Sequence, residues 1–297
     1  MKRKRSILQF MGQDYSYHLG ILTHTGYEKA VARHVSSCIS QNETMWDIIN
    51  LVHLDEGEIF IDYIKDLSME NNCVYLQQKY DSSELIELPK TFETYLSTLT
   101  KNARQNIKKN IKKLERDFQV QFETKTDLIS LKKYWPIFLT LHRENVHSKA
   151  RTTILDDEDF AEFYFRISAN YAKHEKLRLN LLSLDGHVMA IHLGLQHNET
   201  VYSLNMGKSV NLHPTYGLWT VLLSLSIKES IEKQAKFYDL LGGGGDYKKK
   251  FGARECGGTL IKIYRSQKDY WFDKIIEKLK TELVKYKFSS FINRSFL

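Results

Sequence analysis

Residues 177–241 contain the arrangement that most constrains the fold: three strand-like runs, a helix and a returning strand. The three runs span about 177–184, 187–196 and 199–206. Asp185-Gly186 is a strong hairpin signal between the first two runs. Apolar residues at helical spacing predict a helix over 217–234, and a strand follows over 236–241. Because a strand that returns after a crossover helix runs parallel to the strand before it, the sequence predicts a mixed α/β sheet.

Helical and strand-like segments also alternate on both sides of this region. The helices are predicted at about 28–39, 91–118, 127–144, 157–174 and 268–287, and further strands at 46–54, 119–123 and 258–264. The chain has only 3 prolines among its 297 residues, so no Pro-rich linker divides it. Any two domains should therefore pack closely.

Composition limits the setting and the partners of the chain. The net charge of +7 favours anionic partners such as nucleic acid, phosphorylated cofactors or acidic lipids, without choosing among them. Three scattered cysteines, Cys38, Cys73 and Cys256, lack the spacing of a disulfide framework or a zinc site. We therefore expect a reducing, cytoplasmic setting and no metal. No apolar run reaches the roughly 18 residues of a membrane span.

The stretch FYDLLGGGGDYKKKFGA, residues 237–253, combines a strand with four glycines and three lysines. It is no P-loop, because no Gly-Lys-Ser/Thr follows the glycines. A tight bend that exposes backbone to a ligand and a flexible turn both remain open. Tyr247 and Phe251 are four residues apart and should share one side of a short helix. If that side faces a cleft, Lys248 flanks it; otherwise the lysines form a solvated face.

The predicted crossover brings several segments to one edge of the sheet. In such folds, ligands lie beyond the carboxyl ends of the strands and at the amino terminus of the helix. This edge should gather Leu204, Asn205 and Met206, the loop 207–216 and residues 240–247. We expect one cleft there.

Four stretches resemble, in order, the CelD-type acetyltransferase domain, a branch of the GNAT superfamily associated with cellulose and exopolysaccharide biosynthesis. They are LRLNLLSLDGHVMAIHLGL, TVYSLNMG, PTYGLWTVLLSLSIKESI and FYDLLGGGGDYKKKFGA. LTKNARQNIKKNIKKLER also resembles the basic helix that precedes this domain there and in FemAB aminoacyltransferases. The resemblance implies a GNAT fold with tandem lobes: an incomplete amino-terminal lobe over 1–88 and an acyltransferase domain over 89–297, with a leading basic helix and a carboxy-terminal amphipathic helix.

The resemblance also implies an acyltransferase that uses acetyl-CoA as its donor. In GNAT proteins two parallel strands splay around the pantetheine arm, and the pyrophosphate meets the start of the following helix. Carried over, this assigns the arm to Leu204, Asn205 and Met206, and the phosphates to Tyr216, Gly217 and Leu218. The acceptor would be an amine or hydroxyl on a small molecule or saccharide. The loop HPTYGL has one glycine where the family's phosphate loop has two small residues.

Direct transfer needs a base for the acceptor and an acid for the leaving thiolate. Tyr247 is the first candidate acid, because GNAT enzymes often carry a tyrosine just past the returning strand. Lys248 beside it, Asp239 inside an apolar strand and His192 on another strand are further catalytic candidates. Each also has a structural interpretation: a core tyrosine, a solvated lysine, a paired aspartate or a satisfied core histidine.

Other features leave the acceptor and the partners open. His142 and Glu144 fall on the helix that borders the acceptor site in the family, so they are candidate substrate-binding residues. Seven basic residues between 101 and 116 would suit transfer RNA under a FemAB-like alternative, or form a solvated helix face. A partner protein that kept the fold without catalysis is a third alternative. The last helix could pack on the sheet or contact a membrane surface.

Overall fold

The computed structural model describes residues 5–243 and 245–294, and its chain forms two compact units. The first unit comprises residues 1–82 and 257–297, and the second comprises residues 83–256. The sequence placed a boundary after residue 88 and assigned the chain's last segment to the second domain. The compact units differ from this prediction, because residues 257–297 belong to the first unit. The functional assignment of the two lobes stays a prediction.

The first unit combines β-strands with α-helices. Its elements are β1 (Ile7–Leu8), α1 (Glu28–Gln41), β2 (Ile48–Asp55), α2 (Phe60–Glu70), the start of β3 (Val74–Glu87), most of β9 (Arg254–Tyr264) and α9 (Gln267–Arg294). β1 runs parallel to β2, and β2 runs antiparallel to β9. Ile49, Leu54, Phe60, Ile64 and Ile263 are almost fully buried in its core.

The second unit has the meander and crossover that the sequence predicts. Its elements are the end of β3, α3 (Phe92–Thr98), α4 (Lys101–Asp117), β4 (Val120–Lys125), α5 (Leu128–His147), α6 (Glu158–Ala172), β5 (Leu177–Leu184), β6 (His187–His197), β7 (Thr200–Lys208), α7 (Leu218–Glu232), β8 (Phe237–Asp239), α8 (Asp246–Lys250) and the start of β9. The strand order is β3-β8-β7-β6-β5-β4. β7 and β8 run parallel, and the other pairs described in this unit are antiparallel.

Alternating residues of the meander pack against helices on the two faces of the sheet. Leu179 and Leu193 join the core beneath α5 and α6, whereas Leu182 and Ala190 pack against α7. This period of two is what a sheet buried on both faces requires. The mixed α/β fold class is therefore confirmed.

The helix predicted over 91–118 is two helices, α3 and α4. Thr91 caps α3 by accepting from the Thr94 amide, and Thr100 caps α4 by accepting from the Ala103 amide. The apolar stripe continues through both helices, so hydrophobic periodicity alone does not show where α3 ends and α4 begins. The threonine at 100 is the local signal, because a hydroxyl at an N-cap satisfies an otherwise unpaired amide.

Candidate active site

The parallel strands β7 and β8 pair over only three residues. The pairs run from Thr200 with Phe237 to Tyr202 with Asp239. β7 then continues to Lys208, paired with β6 on its other side. The described β7–β8 pairs end at Tyr202 and Asp239, and the cleft expected at this end of the two strands stays a prediction.

Helix α7 starts with a special backbone geometry. Gly217 is its N-cap and has φ +60° and ψ +40°, the left-handed conformation that favours glycine. The helix has no side-chain cap, so the first-turn amides lack the partner that a capping side chain supplies. Unpaired amides at the positive end of a helix suit an anion such as a phosphate.

The side chain of Asn110 on α4 approaches Gly217 closely. A Cβ atom on residue 217 would lie 2.3 Å from Asn110 Nδ2, so the approach requires glycine. The sequence analysis missed Asn110, which is only 7% exposed. A signal was present: Asn110 occupies the three-and-four spacing of the apolar stripe, between Ile107 and Leu114. A polar residue on a buried face needs a structural or functional reason.

Tyr216 and Leu218, which flank Gly217, have different surroundings. The Tyr216 hydroxyl donates to Asp117 Oδ2 at 3.0 Å, and this hydrogen bond raises the pKa of Tyr216. Lys113 Nζ lies 4.1 Å from the Tyr216 ring centroid and donates to Thr215 Oγ1. Leu218 is buried in the core under α7. The site thus has a basic side chain beside the start of α7, while the Leu218 side chain points inward.

Leu204, Asn205 and Met206 lie on β7 where it continues past β8. Leu204 is the extra residue of a bulge, because Ser203 pairs with Gly194 and Asn205 pairs with Leu193. As a result, Leu204 packs toward α5 and α6, whereas Met206 packs toward α7. The Met206 carbonyl accepts from His142. All three side chains are half-buried along the predicted cleft.

Asp239 and Lys248 organise the turn that follows β8. Asp239 is 1% exposed, and its Oδ1 accepts from the Leu241 amide at 2.7 Å. Lys248 is 2% exposed and donates to the carbonyls of Leu241 and Gly242 at 2.6 and 2.7 Å. Its Nζ also lies 3.6 Å from Glu84. This geometry favours a positioning role for Lys248 and Asp239. Gly244 lies outside the described residues.

Tyr247 is the candidate acid that the structure places beside the start of α7. Its ring lies edge-on to Trp219, the second residue of α7, with centroids 5.5 Å apart. Tyr247 and Phe251 pack in one core, so the predicted shared side of the short helix is confirmed. Burial, with the Glu84 carboxylate adding to it, raises the pKa of Tyr247. The phenol is therefore protonated at neutral pH, as an acid must be.

His192 lies in a row of hydrogen-bonded side chains that crosses four neighbouring strands. Thr124 on β4 donates to Asn180 Oδ1 at 2.9 Å, and Asn180 Nδ2 lies 3.3 Å from His192 Nδ1. His192 Nε2 lies 2.8 Å from Ser203 Oγ on β7. His192 is 0% exposed, and burial lowers its pKa to about 4. Both ring nitrogens are engaged, so the geometry favours the structural interpretation of His192 over a base.

We expect the neutral, buried His192 to make stability depend on pH. The histidine pKa is about 6.5 in the unfolded chain and about 4 in the fold, so the unfolded state binds more protons between these values. Stability should therefore fall by roughly 3 kcal/mol as pH drops from 6.5 to 4. Burial lowers the pKa of His142 as well, which adds to the slope.

Urea unfolding at half-unit pH steps checks this expectation, with His192→Gln as the comparison. The variant should be less stable at pH 7 and should show a shallower loss of stability toward pH 4. An equal slope in both proteins would contradict the assignment. His197, an exposed histidine at the end of the same strand, is the control: His197→Gln should keep the full slope.

His142 and Glu144, the candidate acceptor-binding residues, differ in exposure. His142 is 6% exposed; Nδ1 donates to the Met206 carbonyl at 2.7 Å, and Nε2 lies 2.8 Å from Thr153 Oγ1. The ring joins the end of β7 to the turn before α6. Glu144 is exposed and available to an incoming molecule. Gly207 lets α5 approach β7 here, because a Cβ would lie 2.5 Å from the backbone nitrogen of His142.

A groove of about 630 Å³ lies elsewhere in the second unit. It is lined by residues of β4, the start of β5 and the second half of α7, among them Arg178, Lys228 and Glu229. Since α7 starts at Leu218, this groove is at the opposite end of the helix from Gly217. It is therefore separate from the predicted cleft.

The described ranges, residues 5–243 and 245–294, bear on metal binding and on membrane spans. Within these ranges, His, Cys, Asp and Glu side chains form no group of three or more that could hold a metal ion. Within the same ranges, every helix is too short or too polar to cross a membrane.

Comparison with protein families agrees with the fold. A family model of the acetyltransferase (GNAT) domain matches residues 101–249, half of the chain. The protein belongs to the GNAT acetyltransferase family. No curated protein matches this sequence.

Solved structures of similar fold include FemX, with a TM-score of 0.56, 11% identity, and coverage of 81% of this chain and 78% of that one. The C-terminal domain of a putative lysylphosphatidylglycerol synthetase from Agrobacterium fabrum has a TM-score of 0.54 and 9% identity, with 82% and 76% covered. L-PGS from Bacillus licheniformis has a TM-score of 0.53 and 9% identity, with 85% and 78% covered. At these identities the likeness concerns the fold alone.

Proposed function

We propose that this protein transfers an acetyl group from acetyl-CoA to an amine or hydroxyl acceptor. The observation that carries the proposal is the short pairing of the parallel strands β7 and β8, which ends at Tyr202 and Asp239, together with the start of α7, which has no side-chain cap. A thioester arm fits between separated strands, and a pyrophosphate fits the helix amides. Family membership over residues 101–249 supports the same activity.

Each group of residues has a separate task in this proposal. The backbone at Gly217 and the first turn of α7 binds the phosphates, and Lys113 adds positive charge beside them. The cofactor supplies the activated acyl group as a thioester. Tyr247, protonated at neutral pH, donates a proton toward the leaving sulfur; the proton that the acceptor loses passes to water, from which the phenol regains its own. Lys248 holds the turn that carries Tyr247.

The acceptor is proposed from the resemblance to CelD-type domains. A saccharide of a surface-polysaccharide pathway would offer the hydroxyl or amine that the reaction needs. Glu144 is exposed near the end of β7 and could orient such a group by accepting hydrogen bonds. Amino sugars and neutral sugars can be compared as acceptors by measuring the free thiol released from acetyl-CoA. Thiol release with amino sugars alone would indicate N-acetylation, and release with neutral sugars would indicate O-acetylation.

Isothermal titration with acetyl-CoA tests the proposal directly. We expect binding that weakens as salt rises, because phosphate contacts with helix amides and lysines are electrostatic. Desulfo-CoA, which keeps the phosphates, should compete. A folded sample that binds neither compound would overturn acetyl-CoA as the donor.

Tyr247→Phe should lower kcat roughly 100-fold while acetyl-CoA affinity changes little, because the variant removes a proton donor but keeps the ring against Trp219. Steady-state thiol release measures the rate, and titration measures the affinity. Tyr27→Phe, at a tyrosine 61% exposed in the first unit, is the control and should keep full activity. An unchanged kcat in Tyr247→Phe would remove Tyr247 from catalysis.

A second candidate function is aminoacyl transfer from transfer RNA, and the exposed basic face of α4 favours it. Its exposed cations lie on the side away from the core: Lys101, Lys108, Lys109, Lys112 and Arg116. Such a face suits a phosphate backbone. FemX is similar to this chain in fold, and the similarity extends no further than the fold.

Filter binding with charged transfer RNA distinguishes the two candidates. If RNA is the donor, changing Lys108, Lys109 and Lys112 to glutamine should weaken binding and reduce its salt dependence. The same triple variant should leave acetyl-CoA titration unchanged, since none of the three contacts the start of α7 in the described hydrogen bonds. If the triple variant retains RNA as well as the unmodified chain does, the basic face of α4 is a solvated helix face and does not bind RNA.

A further inference from the structure

Helix α9 of the first unit exposes four large apolar side chains on one face. Trp271, Phe272, Ile275 and Leu279 are 60, 53, 58 and 53% exposed. Their spacing of three and four residues places them in one stripe along the helix. The Arg5 guanidinium lies 4.4 Å from the Phe272 ring centroid and covers part of that ring.

The opposite face of α9 is anchored to its own unit through acidic side chains. Asp273 accepts from Arg5 and from the Tyr264 hydroxyl, at 3.2 and 3.1 Å. Asp269 accepts from Ser266 at 2.6 Å. Glu277 accepts from Lys274 at 2.9 Å and from Lys262 at 3.4 Å. The helix is therefore held in place while its apolar stripe stays outside.

Near the apolar stripe, exposed lysines outnumber exposed acidic side chains, unlike on the inner face of α9. Lys268 lies seven residues before Ile275, and Lys278 lies seven residues after Trp271, so both exposed lysines sit on the outer face. Glu282 is the exposed acid at the far end of the described stripe. On the inner face, Asp273 pairs with Arg5 and Glu277 pairs with Lys262 and Lys274, whereas Asp269 accepts from the uncharged Ser266. The outer face thus combines aromatic and aliphatic side chains with a positive excess.

We propose that α9 docks in the plane of an anionic lipid surface, with Trp271, Phe272, Ile275 and Leu279 inserted at the headgroup boundary. Interfacial helices combine an apolar face with flanking lysines, and their aromatic side chains prefer this depth. The chain's net charge of +7 adds long-range attraction to acidic lipids.

A second copy of this chain is a poorer occupant of the same face. Stable interfaces bury about 800 Å² on each partner. Four half-exposed side chains on one helix fall short of that area. A two-fold contact would also bring Lys268 and Lys278 near their own copies, where like charges repel.

Co-sedimentation of the full chain with lipid vesicles tests the proposal. We expect binding to vesicles of phosphatidylcholine with phosphatidylglycerol, weaker binding to phosphatidylcholine alone, and release by salt. Trp271→Ser with Ile275→Ser should abolish binding to both. Lys268→Glu with Lys278→Glu should weaken binding to anionic vesicles at least about tenfold, since each lysine near such a surface contributes about 1 kcal/mol.

Ile129→Ser is the matched control, because Ile129 is 82% exposed on α5 in the second unit. It should bind vesicles as the unmodified chain does. Equal binding by all variants, or no binding by the unmodified chain, would overturn the proposal. Light scattering offers a further test. A dimer of the unmodified chain that is lost in the Trp271→Ser, Ile275→Ser variant would also overturn the proposal, because the stripe would then mediate self-association. Acetyl-CoA titration in solution is independent of each outcome.

Discussion

Lys248→Met should lower the free energy of unfolding by about 3–5 kcal/mol, the usual cost of removing one member of a buried charged group. The amine donates to two backbone carbonyls, those of Leu241 and Gly242, and lies 3.6 Å from Glu84. Methionine fills similar space but leaves both carbonyls and the carboxylate without that donor. Urea unfolding followed by fluorescence measures the loss.

The neighbouring lysines provide the control for this prediction. Lys250 is exposed on the same short helix, so Lys250→Met should change stability by less than about 0.5 kcal/mol. Glu84→Gln, which removes the charge but keeps the shape, should cost less than Lys248→Met. Equal stability of the Lys248 and Lys250 variants would contradict the buried role. If the turn also positions Tyr247, the Lys248 variant should lose activity even where it remains folded.

Gly217→Ala should both destabilise the second unit and abolish measurable acetyl-CoA binding. A residue with a Cβ at φ +60° is strained by about 1–2 kcal/mol. The contact with Asn110, 2.3 Å from the added atom, should cost a further 1–3 kcal/mol or so, because one of the two must move. Movement of the backbone at this point redirects the first-turn amides of α7. Unfolding curves and titration follow the two effects.

Two other glycines separate strain from contact. Gly186 has φ +81° and open space around its missing Cβ, so Gly186→Ala should show the strain alone. Gly207 meets the α5 backbone without positive φ, so Gly207→Ala should show the contact alone. In a double-mutant cycle, Asn110→Ala should recover the contact part of the Gly217→Ala loss. Normal acetyl-CoA binding by Gly217→Ala would contradict the phosphate site.

The sequence predicted the meander and crossover well because their signals are local. The turn at Asp185-Gly186 and the helical spacing after Gly217 each lie within a few residues. In contrast, residues 59–64 and 73–77 show only short apolar runs in the sequence, although Phe60–Glu70 is helix α2 and Val74–Glu87 is strand β3. The polar residues of β3 carry little period-two signal.

The site stays a prediction, and the surroundings of several candidate residues depend on contacts between residues distant in sequence, which no local pattern reveals. Three consecutive lysines looked alike in sequence, yet only Lys248 is buried, because α8 turns that position toward Glu84 and the Leu241 carbonyl. His192 could have been a base or a core residue until Asn180 and Ser203 were found on its two nitrogens. Asn110 reaches Gly217 across more than a hundred residues.

The row of Thr124, Asn180, His192 and Ser203 also bears on how the sheet forms. Its four members come from four successive strands, and each bond requires its strands to be in one particular alignment. A slip of one residue in any strand would turn its member to the other face and leave the remaining polar groups buried and unpaired. The apolar residues of these strands, mostly leucines, would tolerate such slips far better. The row therefore favours one alignment of the four strands. A misaligned sheet would have a higher free energy while the protein folds, because it would lose these hydrogen bonds.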